Sequence, residues 1–171
     1  GFTIKGGQKV VITGFNGIGK STLLKTLIGE ISSMNGYYKF SDQVTIGYFE
    51  QDLLWDDTTR TPIQIISDNY PEMVMKEVRK SLARCGISSK HAMQLIGTLS
   101  GGEQAKVKMC LLTLKPCNFL ILDEPTNHLD VQAKDSLKTA LEEFPGTVLL
   151  VSHEENFYRE WTQKVINIEK R

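Results

Sequence analysis

The residues with the clearest chemical potential form a glycine-rich run at positions 14–21, GFNGIGKS, which fits the pattern GxxxxGK[ST]. Glycines let successive backbone N–H groups turn toward anionic oxygens, and a helix that starts at the run adds its positive dipole end. Lys20 supplies a point charge, and Ser21 supplies a hydroxyl suited to Mg²⁺. The run therefore predicts a site for a phosphate chain with Mg²⁺.

The flanks of this run agree with that chemistry. Residues 10–13 are apolar and predict a buried strand, whereas residues 21–29 have the apolar spacing of a helix that stops at Gly29. The alternative, a chance glycine-rich turn, does not require this order of strand, loop and helix. The residues expected to bind the phosphates are Gly14, Asn16, Gly17, Gly19, Lys20, Ser21 and Thr22.

Two adjacent carboxylates, Asp123 and Glu124, follow the apolar run at residues 119–122. The run predicts a buried strand with both acids at its tip. Asp123 can hold Mg²⁺ through water, and Glu124 can polarise a water molecule that attacks a γ-phosphate. The alternative is an ordinary acidic turn before Pro125, and the pair alone does not decide between the two.

The sequence LSGGEQ at residues 99–104 opens a predicted helix. Gly101, Gly102 and the first amides of this helix form a second anion-binding end, which a one-site enzyme does not need. Ser100 is also a suitable N-cap, and Glu103 three residues later would complete a capping box. The two interpretations are compatible.

His153 follows the apolar run at residues 147–152. A side chain at the C-terminal edge of a strand can reach a bound ligand. A lone histidine at such a position is more often structural, so its interpretation depends on the other motifs.

The elements that must position these groups alternate along the chain. Further strands are predicted at 2–4, 37–40, 45–49, 119–123, 147–152 and 165–168, and helices at 102–114, 131–143 and much of 61–97. Apolar strands that alternate with helices indicate an α/β fold with a mostly parallel sheet flanked by helices. We also expect an antiparallel β part near the N-terminus and a small helical subdomain at residues 52–98.

The composition of the chain limits the classes of protein to which it can belong. The 171 residues, 40% of them hydrophobic, predict a single domain over residues 1–171. The 20 basic and 20 acidic residues give a net charge of zero, so no overall electrostatic attraction to nucleic acid or anionic lipid is expected. No apolar run approaches the roughly 20 residues that span a bilayer, and no secretion signal opens the chain, so we expect a cytoplasmic location. Without CxxC spacing, reduced thiols are predicted at Cys85, Cys110 and Cys117.

Together these residues resemble the ATP-binding cassette (ABC) ATPase family, which has a P-loop NTPase core. The family's motifs occur in its order: Walker A at 14–22, the Q-loop at Gln51, the signature at 99–104, Walker B at 119–123 with Glu124, the D-loop near Asp130 and the switch His153. The match covers nearly the whole chain. It implies ATP and Mg²⁺ as ligands, with Ser21, Gln51 and Asp123 serving Mg²⁺ and Lys20 and His153 contacting the γ-phosphate.

The resemblance also implies a composite site. Glu124, His153 and Gln51 would form the catalytic group, whereas Ser100 and Gly102 would contact ATP held by a second cassette. That cassette is either in the same polypeptide or in a second copy of this chain. Hydrolysis would then need both cassettes and be slow in an isolated fragment.

A finer resemblance is to ABC-F proteins, soluble twin-cassette ATPases that act on ribosomes. It rests on LSGGEQAKVKM at residues 99–109 and LILDEPTNHLD at residues 120–130, whose NHLD ending is typical of that branch. Residues 152–156, SHEEN, depart from the SHDR sequence common in the branch. The aromatic residue that stacks on adenine is expected just upstream of Gly1, so we interpret the chain as an excised second cassette, truncated at the N-terminus.

The leading hypothesis is an ABC-F cassette of a translation factor or antibiotic-resistance protein. The ATPase subunit of a membrane transporter is the alternative, because both share the same site. A DNA-repair or chromosome-structure ATPase is disfavoured, since residues 52–98 leave no room for a long coiled coil. A module that binds without hydrolysing is disfavoured by Glu124.

Overall fold

The computed structural model describes residues 3–14, 23–24, 26–27, 39–50, 54–114, 117–127 and 129–168. Within these ranges the strands form one sheet in the order β2-β3-β4-β1-β5. Every pairing of neighbouring strands is parallel. The strands are β1 (Lys9–Thr13), β2 (Ile46–Phe49), β3 (Phe119–Asp123), β4 (Thr147–Val151) and β5 (Lys164–Asn167).

Burial explains why the central strands are continuous apolar runs. All five residues of β3 and all five of β4 are buried, as are the first four of β1. A parallel sheet covered on both faces leaves no position for an exposed polar residue in its middle. Strand β5, at the edge, alternates between half-buried and exposed residues.

Helices occupy the segments between the strands. They are α1 (Pro62–Asn69), α2 (Met75–Arg84), α3 (Ser89–Ala92), α4 (Gly101–Leu114), α5 (Val131–Glu143) and α6 (Glu155–Tyr158), with a 3₁₀ turn at Ile96–Thr98. Leu23, Leu24, Thr26 and Leu27 are also helical, which agrees with the helix predicted after the glycine-rich run. Helix α1 starts at a complete capping box, in which Thr61 and Gln64 each bond the other's backbone N–H.

The chain divides into two compact units. The first comprises Gly1–Gln51, Pro116–Thr126 and Leu141–Arg171, and the second comprises Asp52–Lys115 and Asn127–Ala140. Each unit has its own apolar core. The first core includes Val10, Ile12, Ile121, Leu149 and Val151, and the second includes Ile66, Val78, Leu82, Ile96 and Val107. The single domain over residues 1–171 with a helical subdomain at 52–98 stays a prediction.

The predicted α/β fold with a mostly parallel sheet flanked by helices is confirmed. The antiparallel part was expected near the N-terminus without assigned strands. Among the described residues there, β1 and β2 each pair in parallel with their neighbours, and residues 3–4 and 39–40 are not in strands; residues 2, 37 and 38 lie outside the described ranges. None of the helices in the described parts of the chain has the length and apolar character of a bilayer-spanning segment.

Candidate functional site

Two candidate catalytic residues meet at the carboxyl edge of the sheet. Strands β3 and β4 are parallel neighbours, with Asp123 opposite Val151, so the residues that follow each strand emerge side by side. Glu124 donates its backbone N–H to the carbonyl of Val151 at 2.9 Å. Nδ1 of His153 lies 3.1 Å from both Oε1 and Oε2 of Glu124. The contact joins two motifs that are distant in sequence.

The two side chains of this pair differ in their access to solvent. The side chain of Glu124 is 7% exposed and that of His153 is 65% exposed. An ionised carboxylate only accepts hydrogen bonds, so the contact requires a hydrogen on Nδ1 of the imidazole. The arrangement provides a shielded carboxylate that is oriented by a solvent-accessible imidazole. Such a carboxylate is suited to act as a general base on water.

The backbone at Glu124 is unusual. Its φ angle is +45°, and among the described residues it is the one non-glycine with a positive φ. A left-handed conformation at such a residue costs on the order of 1–3 kcal/mol, and persists where surrounding structure enforces it. Here the hydrogen bond to Val151 and the contact with His153 hold the residue on both sides. Strain of this kind is concentrated at functional sites.

Asp123, the last residue of β3, is the described candidate for binding Mg²⁺. It is 2% exposed and lies at the strand tip next to Glu124. Carboxylate oxygen is a donor that Mg²⁺ prefers, and Mg²⁺ is commonly held by one or two carboxylates together with substrate phosphates. In the described parts of the chain no group of three or more His, Cys, Asp or Glu side chains is assembled. The buried carboxylate of Asp123 fits the ligand chemistry of Mg²⁺, and its binding of Mg²⁺ stays a prediction.

A contact that the sequence did not predict links the loops after β3 and β4. The hydroxyl of Thr126 donates to Oε1 of Glu154 at 3.0 Å, and Thr126 is 1% exposed. The hydroxyl of Ser152 accepts the backbone N–H of Glu154 at 3.1 Å. The departure of residues 152–156 from the SHDR sequence common in ABC-F proteins was the sequence feature that could have drawn attention to this contact. It did not indicate a partner for Glu154.

The start of helix α4 has the N-cap that the sequence predicted. The hydroxyl of Ser100 accepts the backbone N–H of Glu103 at 3.2 Å. The carboxylate of Glu103 contacts Nδ1 of His91 at 3.1 Å and Nζ of Lys106 at 3.2 Å. Ser100 therefore has a structural role, and its predicted contact with ATP stays a prediction.

Helices α4 and α5 approach closely at their first turns. A Cβ atom added to Gly102 would lie 2.9 Å from Cβ of Ala133, so this approach requires a glycine. Oδ1 of Asp130 accepts the backbone N–H of Ala133 at 2.8 Å and caps α5. Ala133 thus bonds Asp130 of the predicted D-loop, and its Cβ lies where Gly102 of the predicted signature has no side chain.

Trp55 is a second residue that sequence reasoning missed. Its indole Nε1–H donates to Oε1 of Gln104 at 2.9 Å, and Nε2 of Gln104 donates to the carbonyl of Leu99 at 3.1 Å. Gln104 therefore connects a residue shortly after the predicted Q-loop to the first residue of the signature. No periodicity signal pairs Trp55 with Gln104.

The predicted site residues are divided among three groups. Gly14, Asp123, Glu124 and His153 belong to the first compact unit, and Ser100, Gly101 and Gly102 to the second. The rest lie outside the described residues: Asn16, Gly17, Gly19, Lys20, Ser21, Thr22 and Gln51. Their assignments to ATP and Mg²⁺ stay predictions.

The chain resembles known proteins in both sequence and fold. The chain is 44% identical to the uncharacterized ABC transporter ATP-binding protein YfmM of Bacillus subtilis, over 94% of this chain and 33% of that protein. It is 40% identical to ATP-binding cassette sub-family F member 3 of Mus musculus, over 89% of this chain and 22% of that protein. The chain thus spans a third or less of these relatives.

A solved structure has the same fold. The dimeric cassette MJ0796, in a post-hydrolysis state bound to ADP and Pi, matches 98% of this chain and 84% of its own with a TM-score of 0.77 at 23% identity. The sequence profile described as ABC transporter matches residues 1–127. Since the profile covers more than half of the chain, and the fold is that of an ABC cassette, the chain belongs to the ABC transporter family as an ABC ATPase domain.

Proposed function

We propose that this chain is the ATP-binding and ATP-hydrolysing cassette of an ABC-F type protein that acts on the ribosome in the cytoplasm, as a translation factor or an antibiotic-resistance protein. The observation that carries the hydrolytic part is the buried Glu124 carboxylate held by His153 at the carboxyl edge of the sheet. The ABC-F part is supported by the NHLD sequence at residues 127–130 and by the relative in sub-family F.

The reaction follows from the position of Glu124. The carboxylate takes a proton from a water molecule while the water oxygen forms a bond to the γ-phosphorus. The bond between the γ-phosphorus and the bridging oxygen breaks, and ADP leaves with that electron pair. In this proposal the Nδ1–H tautomer of His153, whose Nδ1 lies 3.1 Å from Oε1 of Glu124, donates to the carboxylate and orients it toward the water.

The other groups bind and orient the nucleotide. In this proposal Lys20 and the amides of residues 14–22 hold the phosphates, and Ser21, Gln51 and Asp123 hold Mg²⁺. When bound, Mg²⁺ offsets the negative charge of the β- and γ-phosphate oxygens. Ser100 and Gly102 contact the ATP of a second cassette, so each complete site needs two cassettes. The dimeric state of MJ0796 supports this arrangement.

The hydrolytic part is tested with Glu124→Gln in the protein as its gene encodes it. Glutamine keeps the size of the side chain but is not a base, so ATP hydrolysis should fall while ATP binding remains. Glu142→Gln is the matched control, because Glu142 is an exposed residue of α5. Hydrolysis at the parent rate in Glu124→Gln would refute the assignment of the base.

The phosphate-binding part is tested with Lys20→Ala. Loss of the ammonium leaves clustered phosphate charge without its counter-charge, so the affinity for ATP should fall strongly. The affinity is measured by titration with a fluorescent ATP analogue. Equal affinities of variant and parent would contradict the assignment of Lys20.

The ribosome part is tested with the same Glu124→Gln variant, with the equivalent change in any second cassette. Blocking hydrolysis should trap the closed two-cassette state that ATP favours. In the presence of ATP the trapped protein should co-sediment with ribosomes and inhibit translation. The alternative, an ATPase subunit of a membrane transporter, predicts co-purification with a membrane subunit. Absence from the ribosomal pellet with ATP demonstrably bound would refute the ribosome proposal.

A further inference from the structure

We propose that Glu154 is a positioning residue for ATP hydrolysis, which holds the loops that carry Glu124 and His153 at a fixed separation by accepting a hydrogen bond from Thr126. The inference rests on the proposed hydrolytic function of the chain. It concerns a residue at which the sequence departs from the pattern common in ABC-F proteins.

The first observation is the contact itself. Oε1 of Glu154 accepts the hydroxyl hydrogen of Thr126 at 3.0 Å, and Thr126 is 1% exposed. A hydrogen bond to a carboxylate is stronger than one between neutral groups, and a buried hydroxyl that loses its partner destabilises its surroundings. The contact therefore constrains the loop in which each residue lies.

The second observation is that Glu154 does not use its side chain for the helix that it starts. Glu154 is the N-cap residue of α6, and its side chain makes no capping hydrogen bond there. An N-cap side chain ordinarily satisfies a free amide of its own helix. The carboxylate of Glu154 instead reaches the loop after β3, so a purely local role does not account for its direction.

The third observation is that His153 lies between two anchored neighbours. Ser152 is fully buried, donates its N–H to Ile12 at 3.3 Å and accepts the N–H of Glu154 at 3.1 Å. The imidazole itself is largely exposed and is not confined by packing. Its position therefore depends on the backbone on either side, which Ser152 and Glu154 fix.

These contacts connect the two loops at two points. The first point is the contact between the side chains of Glu124 and His153 at 3.1 Å. The second is the hydrogen bond of 3.0 Å between Thr126, in the loop of Glu124, and Glu154, in the loop of His153. With the second contact removed, the loop after β4 can move away from Glu124. The distance between base and imidazole would then no longer be set.

The test measures kcat and KM for ATP hydrolysis in the protein as its gene encodes it. Glu154→Ala and Thr126→Val both remove the contact, and Thr126→Val keeps the shape of the side chain. A displacement of about 1 Å at a reacting group can lower a rate by roughly a hundredfold, so we expect each variant to lose roughly tenfold to hundredfold in kcat. The KM for ATP should stay within about twofold, because no phosphate contact is changed.

Conservative variants provide the control. Glu154→Gln keeps an oxygen acceptor and Thr126→Ser keeps the hydroxyl donor, so both should retain kcat within about threefold of the parent. The double variant of Glu154→Ala and Thr126→Val should be no slower than either single variant, because both act through one contact. Melting temperatures are recorded for every variant, and kinetics are measured well below the lowest of them.

The outcomes separate this inference from the proposed function. Parent-like kcat in Glu154→Ala and Thr126→Val overturns the positioning role, as does a loss in Glu154→Gln equal to that in Glu154→Ala. If Glu154→Ala does not fold, the Thr126 variants decide. Failure of the proposed function has a different signature, namely a parent whose ATP hydrolysis is absent or is unaffected by Glu124→Gln.

Discussion

Replacement of Gly102 with alanine is expected to destabilise the second compact unit. A Cβ atom at this position would lie 2.9 Å from Cβ of Ala133. Favourable carbon–carbon contacts are about 3.5–4.0 Å, so the new methyl group would overlap its neighbour by about 0.6–1.1 Å. Both positions are in the first turn of a helix, so relief of the overlap requires a shift of one helix backbone.

The size of the effect follows from two opposing contributions. Overpacking of this kind costs about 1–3 kcal/mol. Alanine has a better helix propensity than glycine by about 1 kcal/mol in a helix interior, and by less in the first turn. With a propensity gain of about 0.5 kcal/mol in the first turn, we expect Gly102→Ala to lower the free energy of unfolding by about 0.5–2.5 kcal/mol.

A double-mutant cycle isolates the steric part. Ala133→Gly alone should cost up to about 1 kcal/mol in helix propensity, but in the Gly102→Ala background it also removes the overlap. The two changes together should therefore be more stable than the sum of their separate effects, by about 1–3 kcal/mol. Urea denaturation followed by circular dichroism measures each free energy.

Two results would refute this reasoning. One is a Gly102→Ala variant that is at least as stable as the parent, and the other is additivity in the cycle. The double variant has a further use, because Gly102 is also a proposed ATP contact. An ATPase defect that persists after stability is restored would belong to the nucleotide contact, and a defect that disappears would belong to packing.

Three further predictions concern single contacts. Asp130→Ala removes the cap on Ala133 and should cost about 1 kcal/mol, whereas Asp130→Asn should cost less, as measured by thermal unfolding. Trp55→Phe leaves Gln104 without its indole donor and should lower stability by about 0.5–1.5 kcal/mol in urea denaturation; an unchanged midpoint would contradict the contact. Burial raises the pKa of the Tyr158 phenol above its ordinary value of 10.0, so the folded state retains this proton longer than the unfolded state, and stability should fall as pH rises through that range. Tyr158→Phe should show a smaller alkaline loss in melting temperature, and an identical pH profile would argue against it.

The elements with strong local patterns were predictable from sequence. The strand at Phe119–Asp123 and the helix at Val131–Glu143 have the bounds that their apolar runs predicted. A continuous apolar run with polar ends is typical of a strand in a parallel sheet whose two faces are both covered. The candidate acids at the tip of β3 follow directly from that placement.

The contacts between distant elements were not predictable in this way. Periodicity indicates which face of an element is buried, but not which strand lies beside it. The meeting of Glu124 with His153 depends on β3 and β4 being neighbours. The bonds from Thr126 to Glu154 and from Trp55 to Gln104 join residues 28 and 49 positions apart, and neither pair belongs to a sequence pattern.

The position of β1 in the sheet has a consequence for synthesis and folding. Val11 of β1 lies opposite Leu150 on one side and Val165 on the other, so both neighbours of β1 are made after β2 and β3, more than 130 residues after β1 itself. Pairings of such long sequence separation form late and slow folding. Until β4 and β5 leave the ribosome, the apolar strand β1 has neither neighbour, and a nascent chain that ends before Thr147 exposes an edge prone to aggregation.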